Sequence, residues 1–234
     1  MNDKLTIRFL GTGDAMGVPR VYCSCDVCEE ARRTGHNRRY RSALWLENGE
    51  GNLLVDCGPD CRAQMEGLGI RQVDQVLITH AHFDHIGGLP ELADACRWTG
   101  HRARLWAPRE VLETIRAQFP WVQRHLEFEP VDQGAMLLGW QVRPFKVCHG
   151  HNGFSFAYRF ERGGHAWVYC PDSIGLGEAE KAEMKQLDLL ILGTSYVKEE
   201  APYETRSVYD MAEATELVRE LEPRAVWFTH MSHG

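Results

Sequence analysis

The chain has 234 residues, 44% of them hydrophobic, and a formal net charge of -7 at pH 7. That length and apolar content suit one domain with a substantial core. The acidic balance argues against a general polyanion binder, although bound divalent cations would offset charge locally and keep a phosphorylated substrate compatible.

Residues 1–9 lead directly into a strand pattern and lack the long apolar core of a signal peptide, which points to the cytoplasm. No apolar run reaches the ~18 residues of a membrane span. Residues 5–10 alternate and end in Gly11-Thr12-Gly13, a strand and a tight turn. Residues 14–41 are irregular and rich in Cys, Arg and Gly. They read as an inserted loop, about 19–41, too long to stand without a staple. Residues 43–46 and 52–55 form a hairpin, closed by Asp56-Cys57-Gly58-Pro59, and a helix follows over 60–67. A strand over 73–78 precedes a helix over 89–98, with Gly100 as its stop. Strand 104–107 meets Pro108, which starts a helix to about residue 118. Residues 126–130, 136–147, 154–160 and 166–169 read as strands, 178–186 as a short polar helix and 187–192 as a buried strand. An amphipathic helix over 207–221 is ended by Pro223, and a last strand over 225–228 runs into Thr229-His230. Strands with interspersed helices, twice over, suggest two sheet-plus-helix halves packed face to face in one domain, 1–234.

The densest chemistry lies in Thr79-His80-Ala81-His82-Phe83-Asp84-His85-Ile86-Gly87-Gly88. Neutral imidazole and carboxylate are the ligands of catalytic zinc and related metals. On an extended strand end His80 and His82 point the same way, while Asp84 and His85, past the turn, face a second ion. His149, His151, Asp172 and His230 follow other strands, so several strand ends each carry a candidate ligand.

This pattern resembles the metallo-β-lactamase superfamily, through its His-x-His-x-Asp-His motif at residues 80–85 and its strand–Asp–x–Gly element at Asp56. The resemblance implies a four-layer αββα fold of the α/β class and a dinuclear site. It assigns His80, His82 and a later His to one metal, and Asp84, His85 and His230 to the other. Asp172 would bridge them. For the later His, residues 151–158 resemble the family's His followed by a strand, so His151 is preferred, with His149 as the alternative beside it.

Cys23-x-Cys25-x-x-Cys28 supplies three thiolates with metal-type spacing, and His233 is the best fourth ligand for a structural zinc. Such an ion would pin the loop to the end of the chain. The other five cysteines read as buried thiols. With Gly11-Thr12-Gly13-Asp14-Ala15-x-Gly17-Val18-Pro19 and Arg38-Arg39, the cysteine loop makes the chain similar to PhnP-type phosphodiesterases of phosphonate metabolism, and to PqqB-like proteins. The PhnP resemblance implies hydrolysis of 5-phosphoribosyl 1,2-cyclic phosphate or 2′,3′-cyclic nucleotides by a hydroxide bridging two manganese or zinc ions. It places a catalytic His where residues 203–210 have none, so Arg206, Tyr203 or Tyr209 are the candidates there for contacting phosphate or leaving group, with Asp84 catalytic at the metal. Arg38, Arg39 and Arg41 are candidates for a further phosphate. Members of that family continue past the position of His233, where this sequence reaches Gly234. The expected partner is a small phosphorylated substrate, with a homodimer left open and neither a membrane nor a stable nucleic-acid partner expected. The competing expectations are RNA processing, thioester or β-lactam hydrolysis, and a non-catalytic carrier like PqqB.

Overall fold

The structure, a computed structural model, describes residues 4–233. The first half comprises β1 (Thr6–Gly11), α1 (Asp26–Thr34), β2 (Ala43–Asn48), β3 (Gly51–Val55), α2 (Cys61–Leu68), β4 (Gln75–Leu77), α3 (Phe83–Ile86), α4 (Leu89–Thr99), β5 (Ala103–Ala107), α5 (Arg109–Gln118) and β6 (Leu126–Pro130). The second comprises β7 (Ala135–Leu137), β8 (Trp140–Cys148), β9 (Phe154–Arg162), β10 (His165–Cys170), α6 (Glu178–Glu183), β11 (Leu189–Gly193), α7 (Met211–Leu221) and β12 (Val226–Thr229). Each half forms one six-stranded mixed sheet, in the orders β1-β2-β3-β4-β5-β6 and β12-β11-β10-β9-β8-β7.

Side-chain alternation turns these sheets into four layers. Along β2, Ala43 and Trp45 join the apolar layer under α2, α4 and α5, while Leu44 and Leu46 face the other sheet. Along β10, Trp167 and Tyr169 face inward, and Val168 and Cys170 pack with Leu217 and Leu221 of α7. Both faces of the central strands are buried, which is why β11 (Leu-Leu-Ile-Leu) shows no polar alternation. The αββα architecture is therefore the one expected. Among the described residues no helix is long and apolar enough to cross a membrane.

Three local expectations need revision. The 19–41 segment is not wholly irregular: α1 runs through it and buries Cys28 and Ala31 against Val18. The strand expected over 136–147 is two strands, because Leu138 and Gly139 take left-handed turn conformations. The helix expected from 207 starts at Met211, where Asp210 and Glu213 form a reciprocal capping box that sets its first turn.

The site-bearing residues emerge at one end of both sheets. Asp56 follows β3, the His run follows β4, His149 follows β8, Asp172 follows β10 and His230 follows β12. Asp56 and His230 adopt φ of 61° and 58°, an uncommon conformation for residues with side chains. Gly193, at the end of β11, lies against the loop before Asp172: a Cβ there would stand 1.5 Å from the Pro171 carbonyl oxygen. Gly193→Ala is therefore expected to lower unfolding free energy by about 1–3 kcal/mol or more, read from urea denaturation. An unchanged midpoint would contradict this packing.

Candidate metal centre

Three imidazoles form the first half of the site. His80 Nδ1 lies 3.0 Å from Thr79 Oγ1, and that hydroxyl lies 3.0 and 3.1 Å from the Asp56 oxygens. The consistent arrangement has Thr79 donating to Asp56 and accepting from His80 Nδ1–H, which leaves a lone pair on His80 Nε2. That nitrogen lies 2.9 Å from His82 Nδ1. Ser155 Oγ approaches the same nitrogen, 3.3 Å from His80 Nδ1. His149 completes the trio, within metal-ligand range of His80 and His82. Its Nδ1–H donates to the Ser207 carbonyl at 2.7 Å, so Nε2 carries the free lone pair.

The structure places His149 here, and not His151. The strand direction of β8 carries His149 into the interior, where it is buried. The single 3₁₀ turn Gly150–Asn152 then reverses the chain, leaving His151 exposed, with its peptide N–H on the Arg206 carbonyl at 3.3 Å. The strand after residue 151 sits as the sequence suggested, but the turn between it and β8 decides which imidazole points inward.

Asp84, His85 and His230 form the second trio. His85 Nδ1–H donates to Asp56 Oδ2 at 2.8 Å, which turns Nε2 toward Asp84 and Asp172. Asp172 borders both trios: Oδ2 is 3.0 Å from His85 Nε2, and Oδ1 is 3.2 Å from His230 and 3.7 Å from His149. His85 Nε2 and Asp172 Oδ2 are buried, yet neither has a partner in hydrogen-bond geometry. Buried polar atoms without partners are uncommon. Their convergence fits a donor set built for cations.

The two halves differ electrostatically. Burial and the neighbouring charge of His85 push His80 well down, and burial with His149 lowers His82, so both are neutral ligands. Burial also opposes the charge on His85 and His230, but Asp84, Asp56 and Asp172 outweigh it at His85, and Asp172 with Asp84 does so at His230. Both imidazoles are held above their ordinary range. Asp84 and Asp172 are held well below theirs because the cationic imidazoles overcome the cost of burial.

A separate cluster joins the cysteine loop to the chain end. Sγ of Cys23, Cys25 and Cys28 lie 3.7, 3.2 and 3.4 Å from His233 Nδ1. A backbone N–H from Cys28 and the His233 ring lower the Cys25 thiol to about 6, while burial raises Cys28. One nitrogen and three sulfurs are the donors of a closed tetrahedral site.

Two residues proposed as phosphate or leaving-group contacts sit differently. Arg206 is buried, and its guanidinium is held by Glu213 at 3.0 and 2.5 Å and by Glu199 at 3.3 Å. It staples the loop before α7 and is not open to a phosphate. Tyr203 stays on a surface 3₁₀ turn that packs against the Gly150–Asn152 turn, its hydroxyl directed over Gly175. Arg39 donates to the Ser232 carbonyl at 2.7 Å, and Arg41 pairs with Asp60 at 3.0 Å. Sequence reasoning passed over Thr79, Ser155 and Ser42. Ser42 Oγ accepts from the His230 amide at 2.9 Å and lies 2.8 Å from Thr229 Oγ1. No spacing marks such hydroxyls; only their approach from distant strands does.

Comparison with known proteins decides the family. Residues 51–231 match the family described as the beta-lactamase superfamily domain. The chain belongs to that family. A crystal structure of a diphosphatase from the PhnP family superposes with a TM-score of 0.83, at 29% identity over 98% of this chain and 88% of that one. Ribonuclease Z of Agathobacter rectalis is 24% identical over 83% of this chain and 82% of its own length. An octanoyltransferase of Porphyromonas gingivalis is 32% identical over 96% of this chain, which spans only 45% of that relative. Within the superfamily, the chain has the fold of metal-dependent hydrolases.

Two outcomes follow from this geometry. In protein purified with its metals, His149→Ala is expected to lose an ion by mass-spectrometric metal analysis, whereas His151→Ala keeps its full complement. The reverse pattern would reinstate His151. Cation uptake must displace protons that His85 and His230 hold above the ordinary imidazole range. Affinity should therefore rise with pH until those protons are gone, with net proton release at pH 7 by calorimetry in buffers of different ionisation heat. Uptake without proton release would show that these imidazoles are already neutral.

Proposed function

We propose that this chain is a metal-dependent phosphodiesterase that opens a cyclic phosphodiester, either 5-phosphoribosyl 1,2-cyclic phosphate or a 2′,3′-cyclic nucleotide. The observation that carries the reading is the pair of trios sharing Asp172, in a chain 29% identical to a PhnP-family diphosphatase across nearly its whole length. His80, His82 and His149 would hold one divalent ion and Asp84, His85 and His230 the other, manganese or zinc, with Asp172 between them. Cys23, Cys25, Cys28 and His233 would hold a structural zinc. The paired ions supply Lewis-acid activation of water and charge neutralisation at phosphorus.

The protein's own contribution is orientation. Asp56 fixes His85 directly and His80 through Thr79, so both trios are set by one buried carboxylate. The Ser207 carbonyl fixes His149. No imidazole lies on residues 203–210, and Arg206 is locked by carboxylates. Tyr209 is buried with its hydroxyl accepting the Leu176 amide at 2.7 Å and Asp210 caps α7, so Tyr203 is the group of that segment assigned to meet a leaving oxygen. Burial and Glu213 push its hydroxyl up, so it carries its proton at neutral pH and can donate it. The alternative of RNA processing is favoured by the likeness to ribonuclease Z, but the charge of -7 weighs against it.

Metal-loaded protein is expected to hydrolyse bis(p-nitrophenyl) phosphate and 2′,3′-cyclic AMP but not a β-lactam. Asp172→Asn and His82→Ala should lower the rate roughly 100-fold or more. Absence of turnover on both phosphodiesters in protein holding roughly three ions per chain would refute the reading. Tyr203→Phe should slow substrates with an alkoxide leaving group while sparing p-nitrophenolate, which needs no proton. Equal effects on both would remove Tyr203 as the donor.

A further inference from the structure

Residues 194–210 join β11 to α7 with a single 3₁₀ turn, Tyr203–Thr205, as their regular structure. So long a connection is uncommon unless it serves a site. This one touches the chain beside every ligand that the second sheet supplies. The Ser207 carbonyl accepts His149 Nδ1–H at 2.7 Å. The Tyr209 amide donates to the Ser173 carbonyl at 3.0 Å, one residue after Asp172. The Thr194 amide donates to the Thr229 carbonyl at 2.8 Å, and the Ser195 carbonyl accepts the Ser232 amide at 3.0 Å, on either side of His230.

One guanidinium closes this loop. The Arg206 side chain is 5% exposed and faces three carboxylates. Glu213 takes it in a two-pronged pair at 3.0 and 2.5 Å, with Glu199 at 3.3 Å and Asp210 at 3.5 Å. Glu199 belongs to the early part of the loop, and Asp210 and Glu213 to the start of α7, so Arg206 ties the two ends together. A buried ion pair is weak evidence for stability, but removing one partner leaves the others uncompensated. The backbone of the same residue presses on the turn that carries His149. The Arg206 carbonyl accepts the His151 amide at 3.3 Å, and a Cβ on Gly150 would stand 2.0 Å from that oxygen.

We infer that Arg206 is a positioning residue for the candidate metal centre: its carboxylate cage fixes the backbone of residues 206–207, and through it the Ser207 carbonyl sets the tautomer and orientation of the His149 ring. Arg206 touches neither ion nor substrate and acts through His149. This rests on the metal-binding half of the proposed function and not on the identity of the substrate.

The test is a cobalt(II) titration of the full chain after metal removal, followed by absorption. A thiolate cluster gives sulfur-to-metal charge-transfer bands in the near ultraviolet, which His and carboxylate sites lack, so the two clusters are read separately. Arg206→Met is expected to weaken cobalt binding at the His and Asp site by about tenfold or more, with the thiolate bands titrating as in the wild type. Arg206→Lys keeps the charge but loses the fork, and should fall between. In a His149→Ala background Arg206→Met should add less than about a twofold loss, because its effect passes through that ring. Circular dichroism checks that each variant is folded; if Arg206→Met is not, Arg206→Lys against wild type carries the test. Unchanged affinity at the His and Asp site in the folded variant, an equal loss with and without His149, or an equal loss at both clusters would each overturn the inference. Wild-type protein that takes up cobalt at the thiolates alone would overturn it together with the metal-binding reading. The expected cobalt pattern without phosphodiester hydrolysis would discard the substrate reading and leave the role of Arg206 standing.

Discussion

One buried carboxylate organises this protein. Asp56 accepts the Thr79 amide at 2.9 Å, the Thr79 hydroxyl and the His85 ring, with the Tyr169 hydroxyl 3.4 Å away. A charge without solvent is costly unless donors surround it. Here those donors are also what aim His80 and His85, so the cost of burial is offset by contacts that shape the site. Its left-handed backbone turns the chain out of β3 and brings the carboxylate beneath the His run.

A second constraint comes from the last residues of the chain. His230 enters the candidate metal centre and His233, three residues on, enters the cysteine cluster. Between them, Met231 exchanges backbone hydrogen bonds with Thr12 and Asp14, and Ser232 takes bonds from Arg20 and Arg39. The long N-terminal segment is thus fastened to the same short stretch that positions an imidazole of the candidate metal centre. A loop with only Val18, Cys28 and Ala31 in its own buried cluster needs such an anchor.

The two sheets divide the labour. The first supplies the contiguous run at 80–85 and its supporting Asp56, so its ligands arrive preassembled by local geometry. The second supplies His149, Asp172 and His230 singly, each from its own strand end, and their relative positions depend on the inter-sheet core of Leu44, Leu77, Tyr158, Tyr169 and Ile191. Tyr158 links the halves directly, its hydroxyl donating to the Ile78 carbonyl at 2.7 Å, just before the His run.

Read with its family resemblance, the sequence indicated the layered α/β fold, the His80–His85 run, Asp172, His230 and the Cys23–Cys25–Cys28–His233 set. Strand periodicity and ligand spacing are local properties, and a donor-rich motif is visible wherever it falls. Tertiary structure alone decided between His149 and His151, because a single 3₁₀ turn reverses which of two nearby imidazoles faces inward. It also withdrew Arg206 as a candidate phosphate contact: Glu199 and Glu213 are seven residues away on either side, and only the fold before α7 shows that they enclose it. The roles of Thr79, Ser155 and Ser42 were equally invisible, since a hydroxyl acquires meaning only from the strand that arrives opposite it.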